Sequence, residues 1–238
     1  MDNKLLVPAS IIIAAIVIAG ALFMVNKGDS QPKNNDSAAK KENVGFADKM
    51  KLLSENDHIL GSPNANIIIV EYSDTECPFC KKFHETMHQV IDEYGKDKKV
   101  AWVYRHFPIA QLHPKAAKEA EASECAFDQG GNTAFWKYID RIYEITPSNN
   151  GLDPKKLPEI AVEMGLDDAE FKRCLDDEDN KNKVADSLAD AIASGGRGTP
   201  HNIMLVGDEK IEIPGAQPFS IVKNVIDVAL AEIQSSKE

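Results

Sequence analysis

The strongest constraint in this chain is a short apolar run that ends just before two closely spaced cysteines. Asn66 to Tyr72 reads NIIIVEY, and SDTECPFC follows directly. A brief β-branched run of this kind predicts a buried parallel strand. After it, Cys80, Phe83, Met87, Val90, Ile91 and Tyr94 recur at spacings of three and four, which predicts one apolar helical face. Gly95 offers a stop. Val100 to Phe107 (VAWVYRHF) reads as a second strand, so the segment makes a βαβ unit.

The rest of the chain completes an α/β pattern. From about residue 111 to 194 the pattern is helical, broken by Pro147, Pro154, Pro158 and several glycines. Ile203 to Val206 and Lys210 to Ile213 flank Gly207-Asp208, a hairpin signal. Phe219 to Ile233 closes the pattern as an amphipathic helix. This order predicts one α/β domain over 46–238, with a helical block inserted at about 110–194.

Ahead of that domain, Leu5 to Val25 carries no charge. Its length approaches the ~20 residues of a membrane-spanning helix. It exceeds the apolar core of a cleavable signal peptide, and neither a small-residue cut site nor a lipid-accepting cysteine follows it. Residues 1–26 are therefore expected to form an uncleaved N-terminal transmembrane anchor. Residues 27–45 are polar and rich in Asn, Ser and Lys, the composition of a flexible linker. Lysines on both sides of the apolar run leave its orientation open. The formal charge of −11 opposes nucleic-acid binding, which needs a basic face, and otherwise reads as solubility.

Cys77 and Cys80 carry the expected chemistry. Pro78 suits the first helical position, where a missing N–H costs nothing. Cys77 then sits at the helix N-terminus, where orphan N–H groups and the helix dipole favour a thiolate. Cys80, one turn on, opens the apolar face and should be more buried. The expectation is an exposed nucleophilic sulfur and a shielded resolving one. A Cys₂His₂ metal site from Cys77, Cys80, His84 and His88 is opposed by length: Cys77 and His88 on one helix lie ~16 Å apart. The two histidines are expected on the solvent side, with no metal bound.

Two further positions bear on this site. Thr199-Pro200 precedes the Ile203 strand. A cis bond there would set its backbone beside the cysteines, where an extended peptide could pair with it; a plain turn proline is the other reading. Glu71 interrupts an apolar strand. It reads either as a buried carboxyl relaying protons to Cys80, or as a strand-edge glutamate reaching solvent.

EYSDTECPFCKKF, HFPIAQLHPKAAKEAEASECA, and RGTPHNIML followed by GAQP resemble the DsbA-like thiol–disulfide oxidoreductases of the bacterial cell envelope. The resemblance runs from about residue 57 to the C-terminus. It implies a thioredoxin-like fold with an inserted α-helical subdomain. It also implies Cys77 as attacking and Cys80 as resolving cysteine, Pro200 as the cis-proline after Thr199, and Glu71 as the acidic relay. Two features depart from the pattern. Pro78-Phe79 replaces the Pro-His of strong oxidants, which implies a less acidic Cys77, and the role of His201 stays open. Relatives that look similarly paired imply a Cys125–Cys174 disulfide, the alternative being two free buried thiols.

A structural disulfide and an oxidising CxxC both need an oxidising compartment. The folded part is therefore expected on the extracytoplasmic side of the cell membrane, tethered through residues 5–25. The leading expectation is oxidation of cysteine pairs in exported proteins without a cofactor, with reoxidation by a membrane partner that the resemblance makes quinone-linked. A reductase or isomerase using the same pair, and a non-catalytic peptide-binding module, are the competing readings. A peroxide-consuming enzyme would need a cysteine environment outside the CxxC that this chain lacks.

Overall fold

The computed structural model describes residues 46–176 and 178–236. The apolar run 5–25 and the linker 27–45 lie outside the described residues. Among the described residues no helix is long and apolar enough to cross a membrane.

Five strands form one mixed sheet: β1 (His58–Leu60), β2 (Ile67–Ser73), β3 (Val100–His106), β4 (His201–Val206) and β5 (Glu209–Pro214). Their order is β1-β3-β2-β4-β5. β2 and β3 run parallel, joined through α1 (Pro78–Tyr94), as the βαβ pattern predicts; the other pairs are antiparallel. β2 lies between β3 and β4 and is buried along its whole length, which explains its unbroken β-branched run.

The period-two alternation of β2 sorts its side chains between two faces. Ile67 and Ile69 join Trp102, Met204, α1 and the closing helix α6 (Phe219–Ser235) on one face. Ile68, Val70 and Tyr72 pack on the other with Val103, Ile203 and Ala191. Between β3 and β4 the chain forms α2 (Ala116–Ile145), α3 (Lys156–Glu163), α4 (Asp168–Leu175) and α5 (Glu178–Ala193). These helices share a core of Tyr138, Ile142, Leu157, Ile160 and Phe171. The inserted block is not separate from the sheet. Ala191 of α5 covers one sheet face, while Phe135, Trp136, Ile139 and Tyr143 of α2 join the core on the other.

Two features have no counterpart in the sequence patterns. β1 is a three-residue strand, and its outer edge is closed by Asn132, whose side chain accepts from Ile59 N–H at 3.1 Å and donates to Ile59 C=O at 2.6 Å. α2 bends at Gly131, where φ 62° and ψ −160° lie in a region other residues rarely enter.

Candidate active site at the start of α1

Cys77 is the N-cap of α1, with extended φ −79° and ψ 121°, and Pro78 opens the helix. Thr199–Pro200 is a cis peptide. It brings the Thr199 carbonyl 3.5 Å from Cys77 Sγ, as acceptor of the thiol. Cys77, Cys80 and the Thr-Pro step thus meet across 122 residues of sequence. Both thiols are free.

The two sulfurs differ in the expected sense, though not in the expected exposure. Cys77 is only 5% exposed, a correction to the exposed nucleophile expected, because the 199–200 segment covers it. Phe79 is the exposed member of the motif, at 64%. The Cys77 thiol is pulled down to about 6 by hydrogen bonding from Cys80 and then by the backbone N–H groups of Cys80 and Phe79, against an opposing effect of burial. The Cys80 thiol is pushed well above its ordinary value by complete burial and then by the Cys77 sulfur beside it.

Glu71 is fully buried, so the solvent-edge reading fails. Burial lifts its carboxyl to about 8, against a hydrogen bond from Ser73. Ser73 Oγ donates to Glu71 Oε1 at 2.6 Å, and Oε2 has no hydrogen-bond partner. At neutral pH this fully buried carboxyl holds its proton beside the strand-to-helix turn that carries both sulfurs. The polar string continues through Ser73 Oγ to Tyr143 Oη at 2.9 Å and on to Tyr104 Oη at 3.2 Å.

Several supporting residues had no sequence signal. Asp74 accepts from Glu76 N–H at 2.9 Å, Ile109 N–H at 2.8 Å and His113 Nδ1 at 2.9 Å. That explains the HP step at His113-Pro114: it pins the start of the insert to the loop before Cys77. Glu76 accepts from the backbone N–H groups of Asn150, Gly151 and Leu152. Glu119, raised to about 8 by burial and then by its contact with Glu76, takes the Thr75 hydroxyl at 2.5 Å. Apart from the Glu76 N–H, the partners lie dozens of residues away, so local pattern alone could not find them.

His201 does not reach the sulfurs. It stacks on Tyr72, with ring centres 5.5 Å apart, and contacts Ser194 Oγ at 3.3 Å. His84 and His88 also depart from expectation. His84 is buried and His88 half-buried, because α2 packs over this side of α1 and Asp140 contacts both rings. Cys125 and Cys174 form a disulfide joining α2 to α4 (S–S 2.03 Å, Cα–Cα 5.7 Å).

The thioredoxin family model Thioredoxin_4 matches residues 53–227. The crystal structure of DsbA2 from Pseudomonas aeruginosa is 29% identical, covers 75% of this chain and 96% of that one, and superposes with a TM-score of 0.64. The crystal structure of α-DsbA1 from Wolbachia pipientis gives a TM-score of 0.68 at 24% identity, over 79% of this chain and 97% of that one, and shows likeness of fold. Among curated relatives, Na(+)/H(+) antiporter NhaA 1 of Mycobacterium sp. (strain KMS) is 30% identical over 190 residues. The match takes in 79% of this chain but only 28% of that protein's length. The chain therefore belongs to the thioredoxin family, within its DsbA-like group of thiol–disulfide oxidoreductases.

Proposed function

We propose that this chain is a membrane-anchored, extracytoplasmic thiol oxidase acting on exported proteins with cysteine pairs. The observation that carries the reading is the split within one CxxC: Cys77 lowered to about 6, Cys80 raised far above the usual thiol range. A stabilised thiolate favours the reduced form of the pair, which makes the disulfide a stronger oxidant.

The steps follow from these environments. A substrate thiolate attacks Cys77 Sγ of the oxidised pair. The Cys77–Cys80 bond breaks, and its electron pair goes to Cys80. Cys80 is too buried to remain a thiolate, and Glu71, neutral at pH 7, is the proton donor at hand. The second substrate thiolate then attacks the substrate sulfur of the mixed disulfide. A disulfide forms in the substrate, and Cys77 leaves as a stable thiolate. Two electrons have passed to the enzyme, and a membrane partner must remove them. The uncharged run Leu5 to Val25 supports the anchor, and the Cys125–Cys174 disulfide supports an oxidising compartment.

Phe79 supplies only its backbone N–H to the thiolate, since its ring is exposed. The pair is therefore expected to be less oxidising than Pro-His relatives. Equilibration against glutathione tests the reading. A potential well above that of thioredoxin (about −270 mV) is expected, and Phe79→His should raise it further. A potential at or below that value would favour a reductase. In intact cells, a membrane-impermeant maleimide should label Cys77 of the reduced protein.

A further inference from the structure

His84 and His88 sit four residues apart on one face of α1, and Asp140 comes from α2. Their polar atoms close into a triangle. Asp140 Oδ1 lies 2.8 Å from His84 Nε2 and 2.9 Å from His88 Nε2, and the two nitrogens are 3.1 Å apart. Protons alone cannot satisfy this triangle. The carboxylate oxygen only accepts, so each of its contacts needs an N–H on the ring nitrogen. The nitrogen–nitrogen contact needs an N–H on one ring and a lone pair on the other. With both nitrogens protonated, two N–H groups face each other. With one protonated, a lone pair faces the carboxylate. One contact in three is repulsive in every arrangement, whereas a cation capping the triangle turns all three lone pairs toward one charge.

A second pair of histidines on one carboxylate, among the described residues, shows the contrast. His58 Nε2 and His106 Nε2 lie 2.6 and 2.9 Å from Glu124 Oε1. Their rings stand 6.2 Å apart, against 4.7 Å for His84 and His88. There two N–H donors can share one acceptor oxygen, and all three residues are buried.

We propose that His84, His88 and Asp140 bind a divalent first-row cation of the zinc type, joining α1 to α2 with one coordination position open to solvent. Imidazole nitrogen with one carboxylate suits this class of ion, and three protein ligands plus water is a common zinc arrangement. An ion ~2.1 Å from all three atoms would sit about 1.2 Å off their plane. A regular tetrahedron at that bond length has edges of about 3.4 Å, so the triangle need open only by roughly 0.3–0.6 Å. The side chains of His88 and Asp140 are 38% and 42% exposed, which gives the ion an entry. His84 Nδ1 is buried without a partner whether it carries the proton or not, so it favours neither state. The site reaches the redox centre by packing. The His84 ring lies 4.4 Å from that of Tyr143, whose hydroxyl meets Ser73 beside Glu71. The ion is a staple between the thioredoxin layer and the insert, behind Cys80.

Zinc chloride alone tests the proposal. The tag-free full-length chain in detergent, oxidised at Cys77–Cys80 so that no thiolate competes, is stripped with chelator and titrated calorimetrically. One zinc per chain with a micromolar or tighter Kd is expected. Cobalt(II) in the same site should show tetrahedral ligand-field bands without thiolate charge-transfer absorption. His88→Ala and Asp140→Asn should each weaken zinc by at least about tenfold, as loss of metal-site partners commonly does, while His58→Gln leaves it unchanged. Both altered side chains are partly exposed, and circular dichroism checks that each variant is folded. Failure of the folded wild-type chain to bind zinc, or equal binding by wild type and both variants, overturns the proposal.

Discussion

At the scale of single residues, the site works by giving three neighbouring groups unlike acidities. Cys77 at about 6 is a thiolate at pH 7, while Glu71 at about 8 and the still higher Cys80 hold their protons. Alkylation of the reduced protein by iodoacetamide should therefore rise through pH 6 and level off by pH 7.5. An ordinary thiol would keep gaining rate through pH 9, and that profile would contradict the assignment. Cys77→Ser should abolish thiol oxidation. Glu71 makes a separate prediction through linkage. Its folded-state value lies above the ordinary value of 4.5. The unfolded chain therefore loses this proton first, and stability falls as pH rises from about 4.5 to about 8. The shift corresponds to a few kcal/mol. Glu71→Gln should stabilise the protein at pH 8 relative to pH 4 by that order, read from urea midpoints at the two pH values. The same variant should slow thiol oxidation about tenfold or more, the scale of a lost proton donor.

At the scale of elements, α2 does most to unite the molecule. Its first half carries Glu119 to the loop before Cys77 and Glu124 to His58 of β1 and His106 of β3, and its second half carries Tyr143 to the polar string at Glu71. The bend at Gly131 makes both possible. No atom would meet a Cβ there within 4 Å, so the constraint is purely conformational. Gly131→Ala should cost roughly 1–3 kcal/mol, the range for a residue forced into a glycine-only region, as a shift of the denaturation midpoint. The Cys125–Cys174 disulfide closes a loop with a sequence separation of 49. Replacing both cysteines by alanine should lower stability by about 2–4 kcal/mol. An unchanged midpoint would mean that the helical core holds α4 without it.

At the scale of the whole molecule, the insert and the thioredoxin layer share one buried charge framework. Arg105 of β3 bonds Asp57 before β1 at 2.7 Å and Asp190 of α5 at 2.7 Å, and Tyr72 of β2 bonds the same Asp190 at 2.5 Å. Removing Asp190 leaves Arg105 paired with Asp57 but strips buried donors on Tyr72 and Arg105 of their acceptor. Asp190→Ala should therefore destabilise the domain by roughly 1–3 kcal/mol, more than loss of an exposed pair such as Lys172–Asp168. The proposed anchor also belongs to this scale. Full-length protein should pellet with membranes and resist carbonate extraction, whereas a chain lacking residues 1–26 should be soluble. Release of the full-length protein by carbonate would remove the anchor from the proposal.

Local order determined what was legible in the amino-acid sequence. The β2 run, Pro78 after Cys77, the three-and-four spacing behind Cys80 and the Gly207-Asp208 turn are each written within a few residues. Each reports on backbone dihedrals or on one buried face, which neighbouring residues control. The burial of Glu71 could be posed from sequence but not decided, because a period-two pattern does not say whether a face is covered. Tertiary structure alone decided the rest. It brought Asp140 to His84 and His88 and Tyr143 to Ser73, and it decided the place of Thr199 beside Cys77, which the sequence had offered as one of two readings. Such contacts join segments whose sequences carry no record of each other, and they exist only after the sheet and the insert have packed. The redox chemistry was legible because a helix start and a nearby cysteine pair are local. The environment that tunes it was not, because desolvation is a property of everything packed around an atom.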